Sequence, residues 1–407
     1  MKTAKLTCLA LLILTMPRAR GEPFRTDINP AQLYYQAFLL APDLSPADRD
    51  YLFTTNWQGQ TLPERVGKIL VGYDNQFKLV REGAQQKVPC DWGIDMSPGP
   101  GTLLPHLNRA RAVARAARLR AMWDLQHGNQ AGARDDLLAA FVLGRNASHD
   151  GLLISALVQI AMEAIVYGTV TENFGQFSPE TLKQLVDGFD AAPARGTFAN
   201  AIATTEAHDH SDWMENRVLE LRKEYPGNDA KVLDSFSQLV DDTNIWPRVV
   251  KAAGGTSDGF LKLVRDMQPL YPRLARIMTL PQPEYEDQIQ KFDAEVRESQ
   301  NPLAQFLIPQ LSRARPKEFT IQAVEAMVRA AVEYKLHGES GLKSVMDPFG
   351  KGPFAFQRFV FEGVDRGFEL KSAYTGRPSW PSALIFVEKE GPPFWTDGPD
   401  IGLAVKP

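Results

Sequence analysis

LLPHLNRARAVARAARLRAMWDLQHGNQAGARDDLLAAFVLG, residues 103–144, is the stretch on which the fold turns. Leu103, Leu107, Ala110, Ala114, Ala117, Ala121 and Leu125 recur at spacings of three and four, which places them on one face of an α-helix. A face lined by alanine lets a neighbouring helix approach closely. Gly128-Asn129 then interrupts the period, and Ala133, Leu137, Ala140, Phe141 and Gly144 give the next helix a matching stripe of small residues. The reading is an αα-hairpin.

The same logic extends outward. Residues 152–167 are apolar nearly all round, as expected of a third helix buried on several sides. Asn29-Pro30-Ala31-Gln32, Ser45-Pro46-Ala47-Asp48 and Ser178-Pro179-Glu180 read as helix starts, each with a capping side chain followed by proline at the first helical position. Helical periodicity continues through 197–225, 229–242, 256–277 and 283–299. Arg315-Pro316 opens a last helix with Ile321, Val324, Val328, Ala331 and Val332 on its face. After residue 346 the helical period disappears and glycine, proline and aromatic residues become dense. Phe354–Phe361, Gly367–Lys371 and Leu384–Glu388 read as strands, the first with a bulge between Phe356 and Phe359. A small meander is marginal alone, so it should pack on the last helix. The expected fold is mainly α: an irregular helical bundle or solenoid with a tetratricopeptide-like αα-hairpin and a small C-terminal antiparallel β meander. The expected division is a signal peptide at 1–21, a helical domain at 22–314 and a C-terminal helix plus β meander at 315–407.

Lys2 and Lys5, the apolar run Leu6 to Met16, and Ala19-Arg20-Gly21 before Glu22 read as an export signal with a cleavage site. The run is shorter than the roughly 20 apolar residues that span a bilayer. Removing 1–21 takes away Lys2, Lys5, Arg18 and Arg20 and no acid, so a net charge of −4 becomes −8. Nucleic acid is therefore not expected as a partner, because phosphate binding needs a basic footprint. No transmembrane segment is expected after signal removal, and the expected address is periplasmic or extracellular. Cys8 would leave with the signal, so Cys90 would remain without a disulfide partner. Asp91 beside it raises a thiol pKa, which favours a buried structural thiol over a nucleophile.

Several motifs resemble known groups. Gly128, Ala133, Leu137 and Ala140 fall where a tetratricopeptide repeat has its turn glycine and small packing residues, although no second copy occurs near a period of 34. The end of the chain is similar to the helix-plus-β end of major pseudopilins of type II secretion. The residues that carry this are Ala331-Val332-Glu333-Tyr334-Lys335-Leu336-His337-Gly338, Asp347-Pro348-Phe349-Gly350-Lys351-Gly352-Pro353-Phe354, Phe356-Gln357-Arg358 and Gly367-Phe368-Glu369-Leu370. With Cys90-Asp91-Trp92-Gly93, Leu103-Leu104-Pro105-His106-Leu107 and Leu152-Leu153-Ile154, the chain resembles more closely a group of uncharacterised secreted helical proteins of planctomycete-like bacteria. The resemblance implies a shared structural end. The long apolar N-terminal helix with which pseudopilins assemble is missing, as is Tyr-Pro after Gly338, so pilus-like polymerisation does not follow.

Four clusters carry chemistry-bearing residues. Glu206-Ala207-His208-Asp209-His210 is the densest set of metal-ligand types, and on a helix Glu206 and His210 share a face, with Asp209 beside them. Two ligands do not make a tight site. Gly255-Thr256-Ser257-Asp258-Gly259 spells a nucleophile elbow, but without a strand before it the glycines read as a helix end and Thr256 or Ser257 as a cap. Arg111, Arg115 and Arg118 share a helix face that suits a peptide or carboxylate partner, unless Asp135 and Asp136 on the next helix neutralise it. Asn146-Ala147-Ser148 spells a glycosylation acceptor at a helix end, and His106 and His127 read as cap-region residues. No catalytic residue and no cofactor is expected. The expected function is an exported non-catalytic protein that binds an envelope protein or a peptide; the alternative is a hydrolase or metal-dependent enzyme using the Glu206/His210 region.

Overall fold

A computed structural model describes residues 25–237, 245–374 and 382–389, apart from the side chains of 208–210 and 310. The expected export signal at 1–21 lies outside the described residues. The described chain is mainly helical and ends in a small three-stranded antiparallel sheet.

Four short helices lead in: α1 (Pro30–Leu39), α2 (Pro46–Phe53), α3 (Glu64–Leu70) and α4 (Asp74–Ala84). The expected caps start the first two, with Asn29 accepting from the Ala31 amide and Ser45 from the Asp48 amide. The hairpin follows as α5 (Pro105–Gln126) and α6 (Gln130–Ala147). Leu107, Ala110, Ala114, Ala117, Ala121 and Leu125 are all buried, as are Ala133, Leu137, Ala140, Phe141 and Gly144. Leu103 departs from this face: Pro105 sets the first turn, so Leu103 sits ahead of the helix and is 84% exposed. Between the two helices Gly128 takes φ 75°, a conformation that suits glycine, and Asn129 caps α6 by accepting from the Gly132 amide at 3.0 Å.

Helix α7 (Leu153–Glu172) packs on α5 and α6 and is the apolar centre of the fold. By length and a mean hydropathy of 1.7 over 18 residues it is apolar enough to cross a membrane, but 72% of that stretch is buried within the fold. Helix α8 (Pro179–Ala191) starts at Ser178 as expected. The region expected as one helix over 197–225 is instead α9 (Phe198–Ala201), a π-helical stretch Ile202–Asp209, and α10 (His210–Glu224). The region expected at 229–242 begins as α11 (Asp229–Asp234), and 238–242 lie outside the described residues. Next come α12 (Ile245–Ala252), α13 (Ser257–Met267) and α14 (Leu270–Ile277). The last two replace the single helix expected over 256–277, because Pro269 cannot donate the backbone bond that would continue the first. Helices α15 (Gln282–Glu298), α16 (Pro302–Ser312), α17 (Arg315–His337) and α18 (Glu339–Ser344) complete the series. The expected face of α17 is buried, against α7 and α8.

Strands β1 (Ala355–Phe361), β2 (Val364–Lys371) and β3 (Ala383–Val387) pair in sequence order. Glu362 and Gly363 both have positive φ, 49° and 77°, the backbone of a two-residue hairpin whose twist matches its strands. The expected bulge exists, but the register slips between Phe359 and Val360 rather than between Phe356 and Phe359. The sheet rests on the last long helix as expected: the ring of Tyr334 lies 5.0 Å from those of Phe356 and Phe368. It rests equally on the end of α7, where Phe174 meets Phe368 at 5.6 Å and Phe386 at 5.2 Å. Asp347 organises the turn before β1. Its carboxylate accepts from the Phe349 amide, the Ser372 hydroxyl and the Ala373 amide, tying the Asp-Pro-Phe-Gly loop to the end of β2.

Candidate functional site

The alanine stripe of α5 faces inward, so the arginines offset from it reach the surface. Arg115 stacks over the Phe53 ring at 4.8 Å and donates to the Phe53 carbonyl at 2.5 Å. Arg118 pairs with Glu172 at 2.8 Å, and Gln58 donates to the other oxygen of that carboxylate at 3.1 Å. Partial burial, and repulsion from Arg111 and Arg118, lower the pKa of Arg115. The three guanidinium groups are thus electrostatic neighbours. Arg49 adds a fourth charge: burial pushes the Tyr73 phenol up to about 12, against the opposing pull of Arg49 and Arg115.

The acids of the next helix do not neutralise this face. Asp135 pairs with Arg134, and Asp136 is buried between Arg81 at 2.5 Å and Arg120 at 2.7 Å. Among the described residues no carboxylate pairs with Arg111 or Arg115. Arg111 and Arg115 thus carry no carboxylate among the described residues, Arg115 being held by Phe53, while Arg118 holds one, a set of guanidinium forks chemically able to take up anions.

The remaining sequence candidates fare differently. Glu206 lies in the π-helical stretch and its charge reaches Tyr271, whose phenol is pushed up to about 12 by burial and by that charge. The side chains of Asp209 and His210 lie outside the described residues. Among the described residues no group of three His, Cys, Asp or Glu side chains is placed to hold a metal ion.

Ser257 is the first residue of α13, and Thr256 caps that helix by accepting from the Gly259 amide at 3.1 Å. The Ser257 hydroxyl is buried between Arg222 Nε at 2.7 Å and Asp229 Oδ1 at 2.5 Å. It is a helix start, with the geometry of no elbow.

Cys90 is buried, and burial pushes its thiol up to about 12, with Asp91 and Asp150 adding to the effect. His106 lies in the first turn of α5 as expected, and is buried there. It stacks on Trp92 at 4.5 Å, and its Nε2 stands 3.7 Å from Asp150 Oδ2, beyond hydrogen-bond reach. That carboxylate is already engaged by the Ser155 hydroxyl at 2.6 Å and the Leu152 amide at 3.0 Å. Neither ring nitrogen of His106 has a hydrogen-bond partner among the described residues. His127 sits at the α5 end as expected, its Nδ1 2.8 Å from the Trp123 carbonyl. Asn146 is buried and donates to the Tyr34 hydroxyl at 2.9 Å, so it is no surface acceptor.

One feature has no counterpart among the sequence expectations. Gln159, Glu163 and Tyr167 recur every four residues on α7 and form a buried polar stripe through an otherwise apolar helix. Glu163 pairs with Arg145 at 2.6 Å and Arg195 at 2.7 Å. Arg195 continues to Glu325, which Arg329 joins to Asp190 at the surface. The chain of charges ends beside a groove of about 250 Å³ lined by Gln322, Glu325, Ala326, Arg329 and Pro348. Every charge along it is matched, so it reads as a clamp between helices. The four-residue spacing of polar groups was the available signal. Compared with protein-family profiles, with curated proteins and with solved structures, the chain matches none.

Proposed function

We propose that this is an exported, non-catalytic helical protein of the cell envelope, which binds an acidic protein or peptide segment through the arginine face of α5. The observation that carries the reading is that Arg111 and Arg115 stand side by side with no carboxylate partner among the described residues, on a chain whose net charge is −4. Local cationic charge on an acidic protein concentrates anionic partners at one place. The export half rests on the Lys2–Gly21 pattern of charge, apolar run and small residues. Ser257 starts a helix and Cys90 is held as a neutral thiol, so neither supplies an activated nucleophile.

The test has two arms. Fractionation of the native host with N-terminal sequencing should place the protein outside the cytoplasm with Glu22 first; a cytoplasmic chain retaining Met1 overturns export. The purified protein should capture a partner in a salt-sensitive manner that an Arg111→Glu, Arg115→Glu variant loses. A stoichiometric metal ion lost in a Glu206→Ala, His210→Ala variant would overturn this reading in favour of a metal-dependent enzyme.

A further inference from the structure

We infer that the α5 face recognises carboxylates in an extended acidic peptide, and that Glu172 is an internal carboxylate that weakens this binding by occupying Arg118. The inference rests on the binding reading above and adds the ligand's chemistry and a control on its affinity.

The recognition chemistry is visible in the one carboxylate already seated. Glu172 places Oε2 at 2.8 Å from Arg118 and Oε1 at 3.1 Å from Gln58, and is largely buried there. It is also the last residue of α7, where the negative end of the helix dipole disfavours a carboxylate. Arg118 and Gln58 therefore hold an anion in a place its own helix does not favour.

The spacing of the face selects the shape of the ligand. From residue 111 to 118 a helix rises about 10 Å. An extended peptide places alternate side chains about 6.8 Å apart on one side, so two acids separated by one residue fit between the ends of the face. The guanidinium fork suits carboxylate oxygens, and Arg115 is already oriented by the Phe53 ring and carbonyl. A nucleic acid is disfavoured, because its affinity comes from many phosphate contacts and the chain beyond this patch is net acidic.

Replacing Glu172 by glutamine keeps a hydrogen-bonding group on Gln58 and Arg118 while freeing a full positive charge. An ion pair near the surface affects binding by up to about 1 kcal/mol, equal to about fivefold in Kd. The experiment is fluorescence anisotropy with a labelled Glu-Gly-Glu-Gly-Glu peptide, its Lys-Gly-Lys-Gly-Lys counterpart, a short single-stranded DNA and inorganic phosphate as competitor. The expected result is salt-sensitive binding of the acidic peptide alone, tightened about three- to fivefold by Glu172→Gln and weakened at least tenfold by Arg111→Glu, Arg115→Glu, with thermal melting showing each variant folded. Binding unaffected by the arginine changes overturns both the face and this inference. Binding lost with the arginines but not tightened by Glu172→Gln overturns the role of Glu172 alone and leaves the face standing. DNA or phosphate bound as tightly as the acidic peptide overturns the carboxylate assignment, as does no binding of the acidic peptide to either the native chain or Glu172→Gln.

Discussion

Arg195 meets Glu163 at 2.7 Å inside the core, and it does so from the segment between α8 and α9 that has no regular structure. Glu163 is fully buried, with Arg145 on its other oxygen. Removing Glu163 leaves Arg145 buried without a carboxylate and Arg195 with Glu325 alone, and breaking a buried pair in this way typically costs about 3–5 kcal/mol. Glu163→Ala should therefore lower the urea midpoint by a corresponding amount, with Glu163→Gln less severe because the amide can still accept. A change under about 1 kcal/mol in Glu163→Ala would show that the network does not hold the segment.

The helical part was legible because its signals are local. Ala110, Ala114, Ala117 and Ala121 carry their spacing in the chain itself, and Asn29, Ser45 and Ser178 carry their caps. What failed depends on residues far apart in sequence. The place of His106 in the first turn is legible, but nothing nearby announces that Trp92 will stack on it and bury it. Arg118 and Glu172 are 54 positions apart, so the sequence could nominate the arginine face but not the acid that occupies one end of it. The π-helical Ile202–Asp209 preserves a nearly helical pattern of side chains, which periodicity alone does not separate from an α-helix.

Cys90 gives a direct chemical test of burial. With its thiol pushed up to about 12, the thiolate is scarce at pH 8, and the native protein should react with a disulfide reagent on the order of a thousandfold more slowly than the urea-unfolded chain. Stopped-flow absorbance separates the two. A native rate within tenfold of the unfolded one would mean that the thiol is open to solvent.

The sheet is docked through a close backbone approach at Gly175. Its amide donates to the Val387 carbonyl at 2.7 Å, and a Cβ there would come within 2.2 Å of the Glu388 carbonyl oxygen. Gly175→Ala must push β3 away from the end of α7, where Phe174 packs on Phe386. The expected cost is about 1–3 kcal/mol, as for other forced overpacking. Hydrogen exchange should show it as faster exchange in β2 and β3 with α5 and α6 unchanged. Equal protection in the sheet would contradict the docking.

Acid stability should carry the signature of Glu325. Burial alone would raise its pKa, but Arg195 and the hydrogen bonds from Arg329 and Arg195 outweigh burial and hold the carboxyl below its ordinary 4.5. The unfolded chain then takes up this proton first as pH falls, so the group's stabilisation is present above about 4.5 and is lost below it, toward the lower folded value. Asp136 acts with the opposite sign. Burial outweighs Arg120 and Arg81 and raises its carboxyl above 3.8, so the folded chain takes up that proton first and its contribution declines as pH rises through the folded value. Urea midpoints measured from pH 7 to pH 3 should fall less steeply below pH 4.5 in Glu325→Gln than in the native chain, even though the variant starts lower at pH 7. Asp136→Asn should do the reverse and steepen the acid limb, because it removes a group that favours the folded state on protonation. An acid limb in Glu325→Gln as steep as that of the native chain would mean that the Arg195–Glu325–Arg329 contacts do not persist in solution.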